Sequence, residues 1–168
     1  MTQRAQSEAE CEILLIGVSF VENASGELES EYAYAYRLRE KLGGKLIASG
    51  RGGATTTALK NKYTTDFLAA KAKYTVLQIG SNDSLSLTVA TFKMNLLELI
   101  GRVEENGSIP VLVTIPRLYD TDNTAFITEA NAWIKSLGYL YIDEYALLSA
   151  DRLVSDTIHP NAEGHDLI

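Results

Sequence analysis

One cysteine, Cys11, stands in a chain of 168 residues, so no intramolecular disulfide forms and the fold does not depend on an oxidising compartment. Cys11 reads as a small residue entering the first strand rather than as a reactive thiol. A block of basic residues is also missing. The formal charge is −7, which repels a phosphate backbone or an anionic membrane surface over most of the protein, and nucleic acid is not an expected partner. No apolar run approaches membrane-spanning length, and the opening MTQRAQSEAE lacks the apolar stretch of a signal peptide, so the chain reads as cytoplasmic by default. Linkers, internal repeats and low-complexity tracts are absent as well, and a single domain over residues 1–168 is the economical expectation.

Several chemistries are excluded in the same way. The loop 50–56 (GRGGATT) could cradle a phosphate, with Arg51 adding charge, but it matches neither the Walker pattern nor Gly-x-Gly-x-x-Gly. A metal site built from Asp156, His159 and His165 lacks thiolates and any His-Glu-x-x-His pattern. His165 reads instead as a surface or capping residue of the terminal helix, and no cofactor is expected. The nucleophile elbow of a classical α/β-hydrolase needs Gly-x-Ser-x-Gly, whereas Val21 follows Phe20 here.

What is present is a packed-core composition, 46% hydrophobic and 22% charged, arranged as short apolar runs alternating with helical periods. The strand candidates are 13–17 (ILLIG), 45–48 (KLIA), 74–79 (YTVLQI), 110–115 (PVLVTI) and 139–142 (YLYI). Helical segments are expected near 30–42, 56–71, 86–105 and 123–137, several ended by glycine. The first carries Tyr32, Tyr34 and Tyr36; Tyr34, Leu38 and Leu42 approach one face, which makes the tyrosines an amphipathic helix start and not a sugar platform. Five βα units predict a doubly wound parallel sheet, whose functional groups gather beyond the carboxyl ends of the strands.

The residues at those ends are polar or glycine. A serine attacks an ester carbonyl only when a base removes its proton, and imidazole is the usual base. Ser19 follows the first strand. His159 lies three residues after Asp156, close enough for the carboxylate to fix its tautomer, and Pro160 sets it on a rigid loop at a helix entry. An oxyanion also needs donors, and Gly53, Asn82 and the N–H of Ser19 are candidates from three neighbouring loops. Gly50 and Gly52 compete with Gly53, and Asp83 is expected to cap the next helix or form a turn.

The order of these blocks resembles the SGNH hydrolase (GDSL esterase/lipase) superfamily over essentially the whole chain: Gly17-Val18-Ser19-Phe20, then residues 49–56, then Gly80-Ser81-Asn82-Asp83, then Asp156-Thr157-Ile158-His159-Pro160-Asn161. The resemblance implies a three-layer α/β/α, flavodoxin-like fold with a five-stranded parallel sheet. It also implies Ser19 as nucleophile, Gly53 and Asn82 as oxyanion donors, and Asp156 and His159 as the rest of a triad. It implies an esterase needing no cofactor, acting on a small-molecule or carbohydrate acyl ester, with removal of an O-acetyl group from a carbohydrate favoured. The alternatives are a lysophospholipase- or thioesterase-type acyl hydrolase, transfer of the acyl group to a sugar hydroxyl, and a noncatalytic carbohydrate-binding domain on the same fold. The family's first block reads Gly-Asp-Ser, with the aspartate helping to hold the nucleophile loop, and Val18 takes that place here. Family members also continue a helix well past the histidine block, so truncation at the C-terminus is expected.

Overall fold

The structure is a computed structural model that describes residues 12–22, 34–62, 71–119, 123–154, 156 and 158–168. Strands β1 (Ile13–Gly17), β2 (Leu46–Gly50), β3 (Tyr74–Gln78), β4 (Ile109–Val113) and β5 (Leu140–Ile142) form one sheet in the order β2-β1-β3-β4-β5. Every neighbouring pair is parallel, which is the expected flavodoxin-like topology. Gly17 pairs with Gly50 on one side and Gln78 on the other. Three strands therefore end level, and the loops after β2, β1 and β3 leave from one edge at the point where the strand order reverses.

Side chains alternate across each strand, so β1 serves two cores at once. Leu14 and Ile16 join the first cluster with Leu59 and with the buried stripe Phe92, Leu96, Leu99, Ile100 and Val103. These come from α3 (Thr56–Lys62) and α5 (Val89–Glu105), and Ile127, Ala130 and Ile134 of α6 (Thr124–Ser136) complete that layer. Leu15 faces the other way, against Phe20 and Val21 of α1 (Ser19–Glu22) and Tyr34 and Ala35 of α2 (Tyr34–Lys41). Phe92 is fully buried, and truncating such a ring costs about 3–5 kcal/mol.

Several boundaries differ from expectation for local reasons. β2 begins one residue later than read and runs on to Gly50, because its pairing with β1 continues to Gly17. The helix expected over 86–105 starts three residues later, as α5, with Thr88 accepting from the Thr91 N–H, and a short helix α4 (Ser81–Ser86) occupies the loop expected after β3 and stops at Leu87, whose backbone is extended. The helix expected over 56–71 is described to Lys62, and Lys71 is non-helical with φ 38°. Tyr34 is buried on α2 with Leu38 and Leu42 packed beside it, while Tyr36 is 46% exposed. Cys11, Tyr32 and residues 63–70 lie outside the described residues.

Candidate active site

The nucleophile loop starts from a close approach. A Cβ at Gly17 would lie 2.1 Å from the Val21 Cγ2 atom, so only glycine lets the chain turn from β1 straight into α1. Beyond it the Val18 N–H donates to the Gln78 carbonyl (3.3 Å) and the Arg51 N–H to the Gly17 carbonyl (3.1 Å). Both bonds prolong the sheet ladders by one step. Val18 is 1% exposed, in the first core cluster, and Ser19 is the first residue of α1.

The histidine loop is held from both sides. Leu153 and Pro160 form an antiparallel bridge, the Val154 N–H donates to the His159 carbonyl, and the Asn161 N–H donates to the Arg152 carbonyl, each at 2.8 Å. The following helix is α8 (Ala162–Leu167), preceded by α7 (Glu144–Leu147) and a 3-10 turn (Ala150–Arg152). α8 opens two residues after Pro160, with the Asn161 side chain accepting from the Gly164 N–H (2.9 Å). Pro160 thus precedes the cap and does not occupy the first helical position. Gly164 is needed there, since a Cβ would sit 2.3 Å from the Arg152 carbonyl oxygen.

On this frame His159 Nε2 lies 2.7 Å from Ser19 Oγ and His159 Nδ1 lies 2.5 Å from Asp156 Oδ2. The other carboxylate oxygen accepts from the backbone N–H of Ile158 and of His159, both at 2.9 Å. Partial burial pushes the Asp156 carboxyl up, but its bonds to the His159 side chain and to both backbone N–H groups, with the His159 charge, hold it below its ordinary value. A carboxylate that stays ionised keeps the proton on Nδ1, which leaves Nε2 to accept from the serine hydroxyl. The Phe20 ring meets the imidazole edge-on at 5.6 Å and restricts its rotation.

Ser19, Gly53, Asn82 and His159 line one cavity of about 290 Å³, whose apolar wall is Leu85, Leu118 and Ile158. Of the competing glycines, Gly50 is taken up in β2, while Gly52 and Gly53 both face the cavity. Gly53 has φ 71°, a conformation glycine adopts without strain. One N–H of the Asn82 amide donates to the Ala54 carbonyl (3.0 Å), and an amide has two. Gly80 is needed ahead of it, because its φ is 122° and a Cβ would meet the Ile115 side chain at 2.7 Å.

Two expectations need correction. Asp83 caps neither its own helix nor a turn: fully buried, it accepts from the Thr56 N–H (3.1 and 3.0 Å) and the Thr56 hydroxyl (2.5 Å), at the start of α3, 27 residues back. Burial raises the Asp83 carboxyl above its ordinary value against the lowering effect of those bonds. His165 is no surface residue. It is 3% exposed, its Nδ1 accepts from the Tyr34 N–H (3.3 Å) at the start of α2, and its ring stacks on Tyr34. Burial first, and then the charges of Arg37 and His159, bring its pKa down to about 4. It does cap a helix, but a distant one.

The sequence reading also passed over Asn95, 3% exposed on α5, and the pair Gln78–Glu144. Gln78 Nε2 donates to both Glu144 oxygens (3.2 and 3.0 Å), and Gln78 Oε1 is buried with no hydrogen-bond partner among the described residues. Burial pushes the Glu144 carboxyl up to about 8, although the Gln78 bond lowers it. A polar residue inside the apolar stripe of α5 was a readable signal for Asn95. Among the described residues no three His, Cys, Asp or Glu side chains are grouped to hold a metal ion, and no helix is long and apolar enough to cross a membrane.

Comparison with known proteins gives the following. The model of the GDSL-like lipase/acylhydrolase family matches residues 15–167. A lipolytic protein of the G-D-S-L family from Desulfitobacterium hafniense is 24% identical, with a TM-score of 0.81 and 94% of each chain covered. The psychrotrophic esterase EstA from a Pseudoalteromonas species, solved with monoethylphosphonate as inhibitor, is 18% identical, with a TM-score of 0.77, 94% of this chain and 91% of that chain covered. The acetyl-xylooligosaccharide esterase Axe2 from a Geobacillus species, in a variant form, is 19% identical, with a TM-score of 0.75, 93% of this chain and 89% of that one covered. At these identities the likeness is one of fold. A comparison with curated proteins found no match.

Proposed function

The chain belongs to the GDSL-like lipase/acylhydrolase family and is a carboxylic ester hydrolase, and from that premise we propose that it works through Ser19, His159 and Asp156 on short acyl esters. The observation that carries the reading is the unbroken hydrogen-bonded line from Asp156 through His159 to Ser19. In this mechanism Ser19 Oγ attacks the ester carbonyl while His159 Nε2 takes the hydroxyl proton. The backbone N–H groups of Ser19 and Gly53 and the Asn82 amide receive the developing oxyanion. His159 returns the proton to the departing alcohol, and Asp156 stabilises the imidazolium between these steps. A water then repeats the sequence on the acyl-enzyme, releasing the carboxylic acid and restoring Ser19.

An O-acetyl group on a carbohydrate is the favoured substrate. Support comes from the acetyl-xylooligosaccharide esterase among the similar folds and from the cavity at Ser19, which at about 290 Å³ suits a short acyl group with part of its alcohol. The test is hydrolysis of p-nitrophenyl esters from acetyl to dodecanoyl and of acetylated oligosaccharides, by wild type and Ser19→Ala. Removing the nucleophile is expected to lower kcat by at least about 10³-fold, with the fastest turnover on acetyl esters. Equal rates for the two folded proteins would sink the serine mechanism, and preference for long chains would sink the substrate.

A further inference from the structure

Asn95 lies on the buried stripe of α5, between Phe92 and Leu96, where an amide has no place unless its polar atoms are satisfied. Its Nδ2 bonds the hydroxyls of Thr56 (3.0 Å) and Thr57 (2.9 Å), in the first turn of α3. The Thr56 hydroxyl, itself fully buried, in turn donates to Asp83 Oδ1 at 2.5 Å. Asp83 follows Asn82 in sequence, and Thr56 stands three residues after Gly53. The two loops meet once more where Asn82 donates to the Ala54 carbonyl. A continuous hydrogen-bonded chain, Asn95 to Thr56 to Asp83, therefore ties the loops bearing the two oxyanion donors to a 17-residue core helix.

We propose that Asn95 is a positioning residue for the oxyanion donors, holding the loop of Gly53 and the loop of Asn82 in one mutual geometry through Thr56 and Asp83. This rests on the oxyanion assignment above. Asn95 touches no reacting atom. Its effect is mechanical: without its amide, the Thr56 and Thr57 hydroxyls lose their shared donor, the Thr56 side chain is held by Asp83 alone, and the join between the loops slackens. Displacements of roughly 1 Å at such donors cost about 10²-fold in rate, because the oxyanion exists only on the way through the transition state. The ground-state ester gains little from the same donors, so KM is spared.

The experiment measures p-nitrophenyl acetate hydrolysis by wild type, Asn95→Leu, Asn82→Ala and the double variant. Each rate is divided by the serine titrated with a p-nitrophenyl phosphonate. Asn95→Leu is expected to lower kcat per titrated serine about 10- to 100-fold, with KM held within about threefold. In the Asn82→Ala background its further effect is expected to shrink to about threefold or less, since the two residues act through one device. A purely structural Asn95 would lower Tm and the titratable fraction but leave kcat per titrated serine within about twofold of wild type, and that result overturns the proposal. So does full multiplication of the two losses. If Asn95→Leu does not fold, Thr57→Val at an exposed site removes one of the two acceptors. It is expected to lower kcat about 2- to 5-fold, and an unchanged kcat overturns the proposal. Wild-type activity that survives Ser19→Ala would overturn the serine reading itself, a failure separate from any result at Asn95.

Discussion

Replacing Glu144 by glutamine isolates the cost of burying a carboxyl group beneath the nucleophile loop. Glu144 is fully buried, both of its oxygens are bonded by Gln78 Nε2, and burial raises it to about 8 from an ordinary 4.5. The folded chain therefore keeps this proton at pH values where the unfolded chain has lost it. Between pH 4.5 and about 8 the unfolded state binds fewer protons, so stability falls as pH rises. Each pH step across that window costs about 1.4 kcal/mol, which reaches about 3–5 kcal/mol at its upper end. Glutamine has the same shape and no proton to lose, and it brings N–H donors to a pair in which Gln78 Oε1 has no partner among the described residues. At pH 5 the variant and wild type are expected to agree within about 1 kcal/mol. At pH 8.5 the variant is expected to be more stable by about 3 kcal/mol. Urea unfolding at pH 5, 7 and 8.5, followed by the fluorescence of Trp133, the one tryptophan, measures the difference directly. A gap independent of pH, or a less stable variant at pH 8.5, would show that Glu144 is not held as described.

Asp156→Asn keeps the shape of the carboxylate but removes its charge and presents an N–H to His159 Nδ1, reversing the tautomer. Asp156 is partly open to solvent, so with two charges roughly 4–5 Å apart and an effective dielectric of about 20 to 40, the loss is about 2–4 kcal/mol, or roughly 30- to 1000-fold in kcat. Steady-state kinetics on p-nitrophenyl acetate check it, and a loss under about threefold would contradict the role given to the carboxylate. His165 has a folded value of about 4 against an ordinary 6.5. Its depression means that the unfolded chain binds the extra proton first, so stability falls as pH drops through 6.5 and the loss is complete below about 4. His165→Gln is expected to remove about 3 kcal/mol of that acid dependence. Urea midpoints of both proteins at pH 4.5 and 7 measure it, and equal slopes would contradict the buried neutral imidazole.

The strands were legible because a parallel sheet covered on both faces leaves short apolar runs, and ILLIG and YTVLQI have no other good use. The final block was legible because Asp156 and His159 interact within one turn of chain, where spacing alone limits the geometry. Long-range pairings were hidden. That Asp83 reaches Thr56 depends on which strands are neighbours, since the loops after β2 and β3 meet only because β1 separates their strands. Whether His165 is covered depends on which face of a six-residue helix meets α2, and AEGHDL is too short for its own periodicity to say. The short helix α4 was missed because its six residues, SNDSLS, are mostly the Ser, Asn and Asp of a turn, and only the extended backbone of Leu87 separates it from α5.

The residue that departs most from the family pattern, Val18, is explained by how its loop is anchored. An aspartate at that position would direct a charge toward the cluster of Leu14, Ile16 and Leu77 that now receives the valine, and a buried charge there needs a partner. Valine gains about 1.5–3 kcal/mol from full burial instead. The backbone supplies the rest: the bonds from Val18 to Gln78 and from Arg51 to Gly17 carry both ladders one step past the end of β1. Ser19 is therefore the first residue beyond paired backbone on either side, with Phe20 locked in the opposite core. A nucleophile needs a fixed position more than it needs a particular neighbour, and here two strands and two cores fix it, leaving the polar work to the loops after β2 and β3 and to the histidine block.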